Sequence, residues 1–203
     1  MHDVTHRGLP LDKAKKAAIL IHGRGATAQS ILSLSNHLRM DDFALLAPQA
    51  DDNTWYPYSF MAPDQSNDKS LNDSLAKIQT VYDYLIGQGL SPDQIYFIGF
   101  SQGACISLDF AARNAQKFGG VIAFTGGLIG EKLKKENYSG DFGKTPVFIG
   151  SSERDIHVPA VRIEASADLL REMGAEVTVK FFSDPQHTIR QEEIDWVNKH
   201  ILS

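Results

Sequence analysis

Six short apolar runs punctuate the chain, and the stretches between them carry helical periodicity. Residues 17–21 form the first run and residues 43–47 the second. Residues 95–98, 120–124, 147–149 and 177–182 form the other four. The runs are continuous rather than alternating, which is the pattern of strands covered on both faces, as in a parallel sheet. Between them, Leu71, Leu75, Ile78, Tyr82 and Leu85 step by four, three, four and three, one face of a helix that stops near Gly87 and Gly89. Ala104, Leu108, Ala111 and Ala115 mark a second helix. Pro159 opens a third, carrying Val161, Ala165, Leu169 and Met173 and ended by Gly174. Thr188 with Gln191 reads as a capping box for a last helix with Ile194, Val197 and Ile201 on one face. Strand–helix alternation of this kind predicts βαβ units and a mostly parallel central sheet with helices on both faces.

Two segments break the rhythm. Residues 48–67 hold three prolines and four aromatics (Trp55, Tyr56, Tyr58 and Phe60) and show no period. Residues 125–146 are glycine-rich and include a charged stretch at 131–136. Irregular stretches of this length in a compact domain are usually functional. The aromatics of the first are read equally as the lining of a substrate site or as packing that holds the loop down.

Composition narrows the class. A chain of 203 residues is expected to form one domain, 1–203. With 42% apolar and 22% charged residues it is not a disordered chain. A net charge of −5 argues against nucleic acid as a partner and against electrostatic docking on anionic lipid. The one cysteine, Cys105, excludes an internal disulfide and a multi-cysteine metal site, and its position one helical turn beyond Ser101 reads as a buried structural thiol. No apolar run reaches the roughly 18 residues that span a bilayer, and residues 1–10 lack the apolar core of a signal peptide. The expectation is a cytoplasmic protein with no integral membrane association, no cofactor and no metal; a homodimer is left open.

The candidate chemistry starts at Gly99-Phe100-Ser101-Gln102-Gly103, a match to G-x-S-x-G. Composition alone gives about 0.1 such matches in a chain this long, so the motif by itself is modest. Its setting is stronger, because it follows a buried strand directly and opens a helix, as a nucleophile elbow requires. A serine hydroxyl needs a base. Of the seven histidines, His2 and His6 read as part of a frayed tail, and His37 and His200 as surface or packing residues in helical patterns. His22 reads as a loop support through a ring hydrogen bond, and His157 stands at the mouth of the third helix. His187 follows the last strand, and sites in parallel sheets form at the carboxyl ends of strands, so His187 is the candidate base. Asp155, after the fifth run, is the candidate for orienting it, over Asp184 and Asp109. The order Ser101, Asp155, His187 is that of α/β hydrolases. The oxyanion needs two donors: the backbone N–H of Gln102, and one from the loop His22-Gly23-Arg24-Gly25. The Arg24 side chain is read as solvated, with an acidic substrate group as its alternative partner.

These residues resemble the phospholipase/carboxylesterase family of α/β hydrolases, which includes the acyl-protein thioesterases. The resemblance runs from about Ala17 to Leu202. It rests on Ile21-His22-Gly23-Arg24-Gly25, the Trp55 loop, Gly99-Phe100-Ser101-Gln102-Gly103-Ala104, residues 155–159 and His187. It implies the α/β-hydrolase three-layer sandwich, a Ser101–Asp155–His187 triad, and oxyanion donors at the Arg24 and Gln102 backbones. It also implies a substrate groove bordered by the Trp55 loop and by Leu128. Thioesterase members carry an apolar residue and then Gly-Asp after the His-Gly pair, where this chain reads Arg24-Gly25-Ala26. Dienelactone hydrolases are less similar, since they place cysteine where Ser101 stands. The expectation is a serine carboxylesterase that hydrolyses small to medium acyl esters through an acyl-enzyme. The alternatives are a thioesterase or lysophospholipase acting on longer chains, or a non-catalytic small-molecule binder on the same scaffold.

Overall fold

All six apolar runs are strands in the computed structural model, which describes residues 3–203, and a further strand precedes them. In chain order the strands are β1 (Val4–Gly8), β2 (Lys16–Ile21), β3 (Phe43–Pro48), β4 (Ile95–Phe100), β5 (Gly120–Phe124), β6 (Pro146–Ser152) and β7 (Glu176–Phe182). They form one sheet in the order β1-β3-β2-β4-β5-β6-β7. Every neighbouring pair is parallel except β1 with β3.

The helices are α1 (Ala28–Leu32), α2 (Asp64–Gly87), α3 (Gln102–Arg113), α4 (Ala160–Glu172) and α5 (Gln191–His200). Side chains alternate across each strand, so one continuous apolar run feeds two cores. Ile19, Phe97, Val121 and Ile149 pack with residues of α2, α3 and α4. Leu20, Ile98, Ile122 and Phe148 pack with Ile31 of α1 and with Ile194 and Val197 of α5. Two helical layers with the sheet between them make the three-layer α/β-hydrolase sandwich.

Several local expectations are corrected. His6 is not in a frayed tail: it lies in β1, paired with Leu46 across the sheet edge. His2 lies outside the described residues. Helix α2 begins at Asp64 and takes the last residues of the stretch read as loop. The last helix starts at Gln191, and its cap is not the Thr188–Gln191 pair. Instead the Glu193 carboxylate accepts the Arg190 N–H at 2.8 Å. Among the described residues, no helix is long and apolar enough to cross a membrane.

Candidate active site

Parallel strands bring their carboxyl ends to one edge, and β4 lies inside the sheet between β2 and β5. The turn out of β4 is severe. Ser101 has φ 54° and ψ −118°, a conformation that L residues rarely hold. The flanking glycines follow from close approach. A Cβ on Gly99 would stand 2.2 Å from the Gly103 carbonyl oxygen, and one on Gly103 would stand 2.0 Å from that of Ile21. The Ser101 N–H is held by Phe124 O at 2.9 Å, and the chain then enters α3.

Three distant segments converge on this turn. His187 Nε2 lies 2.7 Å from Ser101 Oγ, and His187 Nδ1 lies 2.6 Å from Asp155 Oδ2. With Nδ1–H donating to the carboxylate, Nε2 is left to accept the serine proton. The Asp155 side chain is fully buried, and its other oxygen accepts the N–H groups of His157 and Val158 at 2.7 and 3.0 Å. The carboxylate is thereby fixed by its own turn. The His187 ring remains a quarter exposed, packed against Phe100 and edge-on to His157. Asp184, the nearer rival in sequence, is turned away and spent on Arg190.

The donors for a developing oxyanion are present. Among the described residues, the backbone N–H groups of Arg24 and Gln102 donate to no backbone or side-chain acceptor. The loop bearing Arg24 is braced from behind. The Trp55 indole donates to His22 O at 2.8 Å. His22 is buried, and burial lowers its pKa, which favours the neutral ring. Its Nδ1–H donates to Gly23 O at 2.8 Å, and Nε2 accepts the Ala50 N–H at 3.1 Å. The loop-supporting role read for His22 holds.

A cavity of about 620 Å³ opens above Ser101 and His187. Tyr56, Pro57, Tyr58, Phe60 and Met61 line one wall, Ile156, His157 and Val158 another, and Cys105 and Gln102 join them. The aromatic wall has almost no secondary structure, yet its backbone is fastened by side chains from other elements. Gln102 accepts the Trp55 N–H and donates to Tyr56 O at 2.9 and 2.7 Å. Ser74 donates to Trp55 O at 2.6 Å. Asn67 accepts the Tyr58 N–H and donates to Ser59 O. Arg24 donates to Pro57 O and Tyr58 O at 2.8 and 2.7 Å. The Arg24 guanidinium is therefore neither merely solvated nor aimed at a substrate acid; it clamps the wall.

The two pocket candidates are corrected. Trp55 is buried behind the wall and lines no part of this cavity, whereas the residues after it do. Leu128 is fully buried beneath the surface, its N–H donating to Ser166 Oγ, and it does not reach the cavity. The aromatic stretch thus does both things read for it: Trp55 packs, while Tyr56, Tyr58 and Phe60 line. Sequence reasoning missed Asn67 and Ser74. Both are polar residues at buried positions of α2, spaced with Leu71 and Ile78 at three and four, and that spacing was the available signal. Cys105 is buried as expected, and burial pushes its thiol up to about 11.

A profile of the phospholipase/carboxylesterase family matches residues 9–203. Acyl-protein thioesterase 1 of Saccharomyces cerevisiae is 29% identical over 168 residues, 73% of this chain and 74% of the yeast protein. Its namesake from Emericella nidulans is 26% identical, covering 94% of this chain and 91% of that one. Among solved structures, the phospholipase/carboxylesterase from Dyadobacter fermentans superposes with a TM-score of 0.98 at 48% identity, over 99% of this chain and 96% of that one. Arabidopsis thaliana SOBER1 shares the fold, with a TM-score of 0.78 at 18% identity over 93% of this chain and 98% of that one.

Proposed function

The chain belongs to the phospholipase/carboxylesterase family, ester-cleaving hydrolases, and from that premise we propose a serine carboxylesterase that cleaves small to medium acyl esters through an acyl-enzyme on Ser101. The observation that carries the reading is the contact chain Ser101 Oγ to His187 Nε2 to Asp155, at 2.7 and 2.6 Å, beside two unpaired backbone donors.

The steps follow from that geometry. Ser101 Oγ attacks the ester carbonyl carbon while His187 Nε2 takes its proton. The carbonyl oxygen becomes an oxyanion held by the Arg24 and Gln102 amides. Asp155, paired to Nδ1, stabilises the imidazolium. The C–O bond to the alcohol breaks, and the alcohol leaves with the proton from Nε2. Water then enters, gives a proton to Nε2 and attacks the acyl carbon. The second oxyanion collapses, the bond from the acyl carbon to Ser101 Oγ breaks, and Nε2 returns its proton to Oγ as the free acid leaves. No metal or cofactor enters any step.

The acyl length is read from the cavity. Its wall is fastened at seven backbone groups between Trp55 and Ser59, so it has little freedom to widen for a bulky chain. The test is a hydrolysis profile with acyl groups from C2 to C16, on oxygen and thioester leaving groups. Turnover concentrated at C2–C8 supports this reading. Ser101→Ala should lower kcat by about 10⁴ or more. Near-parental turnover by Ser101→Ala would rule the mechanism out.

A second reading, a thioesterase for longer chains, is favoured by one feature. Tyr58 and Ile156 line the cavity yet stand 60% and 87% exposed, an apolar rim on which a chain longer than the cavity would lie. Highest kcat/KM on C14–C16 thioesters would establish it. A non-catalytic binder would not label with a fluorophosphonate, whereas an activated Ser101 would.

A further inference from the structure

His187 sits in the segment 183–190 between β7 and α5. Among the described residues, this segment makes no backbone-to-backbone hydrogen bond of its own before Arg190. Side chains hold it instead, and Arg190 makes the most contacts. Arg190 Nε and one Nη2 proton form a fork onto the Asp184 carboxylate, both at 2.7 Å. The other Nη2 proton reaches Gln186 O at 2.8 Å. Nη1 reaches Thr188 O at 3.2 Å and Glu193 Oε2 at 3.3 Å. A guanidinium has five N–H groups, and here all five are committed. The side chain is only 9% exposed and stacks over the Phe182 ring at 4.8 Å.

The two carbonyls it grips belong to the residues immediately before and after His187. Asp184 passes the restraint on by accepting the Gln186 N–H at 2.8 Å. Ser152 and Arg154, at the end of β6, fasten the start of the segment through Asp184 O and Ser183 O. Glu193 accepts the Arg190 N–H as well as the guanidinium, which ties the arginine to the first turn of α5.

We propose that Arg190 is the positioning residue of the general base, its guanidinium holding the peptide on both sides of His187 so that the ring stays in reach of Ser101 and Asp155. This rests on the triad reading above. Arg190 touches neither substrate nor the reacting atoms. Its effect comes through the placement of Nε2, and displacement of a reacting group by about 1 Å costs on the order of 10² in rate. A lysine at this position cannot replace it, because three donors on one nitrogen cannot reach five acceptors that surround a plane.

The test compares the parent with Arg190→Met and Arg190→Lys in two readouts, with circular dichroism confirming that each is folded. One readout is the kcat and KM of p-nitrophenyl butyrate hydrolysis. The other is the far-downfield proton resonance of the His187–Asp155 hydrogen bond, recorded without substrate. The expected result is a kcat lower by about 30–100-fold in both variants, KM within about twofold, and loss or broadening of the resonance. A folded Arg190→Met whose resonance stays sharp overturns the proposal, and so does one whose kcat stays within about twofold of the parent. If Arg190→Met does not fold, Asp184→Asn is the substitute. It weakens the fork, and a kcat lower by about 3–10-fold with a broadened resonance supports the proposal, while no change in either overturns it. A parent that shows the resonance but hydrolyses no ester would refute the esterase reading alone.

Discussion

Gln102 and Trp55 are joined by a 2.9 Å hydrogen bond from the Trp55 N–H to the Gln102 side chain, so the residue that follows the nucleophile also holds the wall of the cavity. Its backbone N–H has no protein acceptor among the described residues, while its side-chain amide is buried against Trp55 and Tyr56 O. Gln102→Ala keeps the backbone donor but strands one N–H and one C=O in a buried place. Each stranded group costs about 1–3 kcal/mol, so a loss of about 2–6 kcal/mol of stability is expected. Thermal melting measures it. KM should rise more than kcat falls, since the wall loosens while the chemistry keeps its donors. Unchanged melting would mean that water replaces the amide at no cost.

Ser101 is expected to be more stable as glycine than as alanine. Its φ of 54° with ψ −118° belongs to a region that side chains disfavour by about 1–3 kcal/mol. Ser101→Ala retains that strain, whereas Ser101→Gly relieves it and gives back about 0.5–1 kcal/mol through a more flexible unfolded chain. Both variants lack the hydroxyl, so the comparison isolates the backbone. Ser101→Gly should melt about 2–4 °C above Ser101→Ala. Equal melting points would limit the stored strain to about 0.5–1 kcal/mol, the amount that glycine gives back.

The parallel sheet and the triad were legible for related reasons. A strand buried on both faces carries a continuous apolar run, and β2 to β6 each do. Ser101 and Asp155 follow such strands and His187 follows the half-exposed edge strand β7, so the runs that predict the sheet also place the three residues along one edge. What escaped is held by polar contacts between distant residues. Strand β1 has the sequence Val4-Thr5-His6-Arg7-Gly8, with one strand neighbour and an exposed second half, so it carries no apolar run. Helix α1 spans five residues, too short to display a period. Pairings such as Arg24 with Tyr58 and Asn67 with Ser59 leave no periodic trace, because a side chain that binds a backbone carbonyl places no demand on the identity of its partner.

Arg24→Leu is expected to discriminate between short and long acyl groups. The substitution removes two charge-assisted hydrogen bonds to Pro57 O and Tyr58 O and leaves the backbone amide at position 24 in place. The guanidinium is exposed, so water competes for these carbonyls and the net loss is about 1 kcal/mol rather than the full value of two such bonds. KM for p-nitrophenyl octanoate should then rise about fivefold, while KM for the acetate, which reaches less of the aromatic wall, should rise less. Equal changes for both esters would assign Arg24 a role at the oxyanion and not at the wall.

Cys105 lines the same cavity as Ser101, yet thiol reagents are expected to spare it at neutral pH. Only the thiolate reacts, and burial, the largest influence on this thiol, raises its pKa from 9.0 to about 11. Iodoacetamide labelling of the native protein should be slow at pH 8 and rise about tenfold per pH unit toward pH 10, because the thiolate fraction grows in that proportion below the pKa. In denaturant the thiol returns to its ordinary value and should label at once. The same shift sets a direction for stability. The folded state holds the thiol proton more tightly than the unfolded state, so between about pH 9 and pH 11 unfolding releases it and stability falls as pH rises. Rapid stoichiometric labelling at pH 8 would place the thiolate in the folded cavity and would make Cys105, beside Ser101, a second nucleophile to be accounted for.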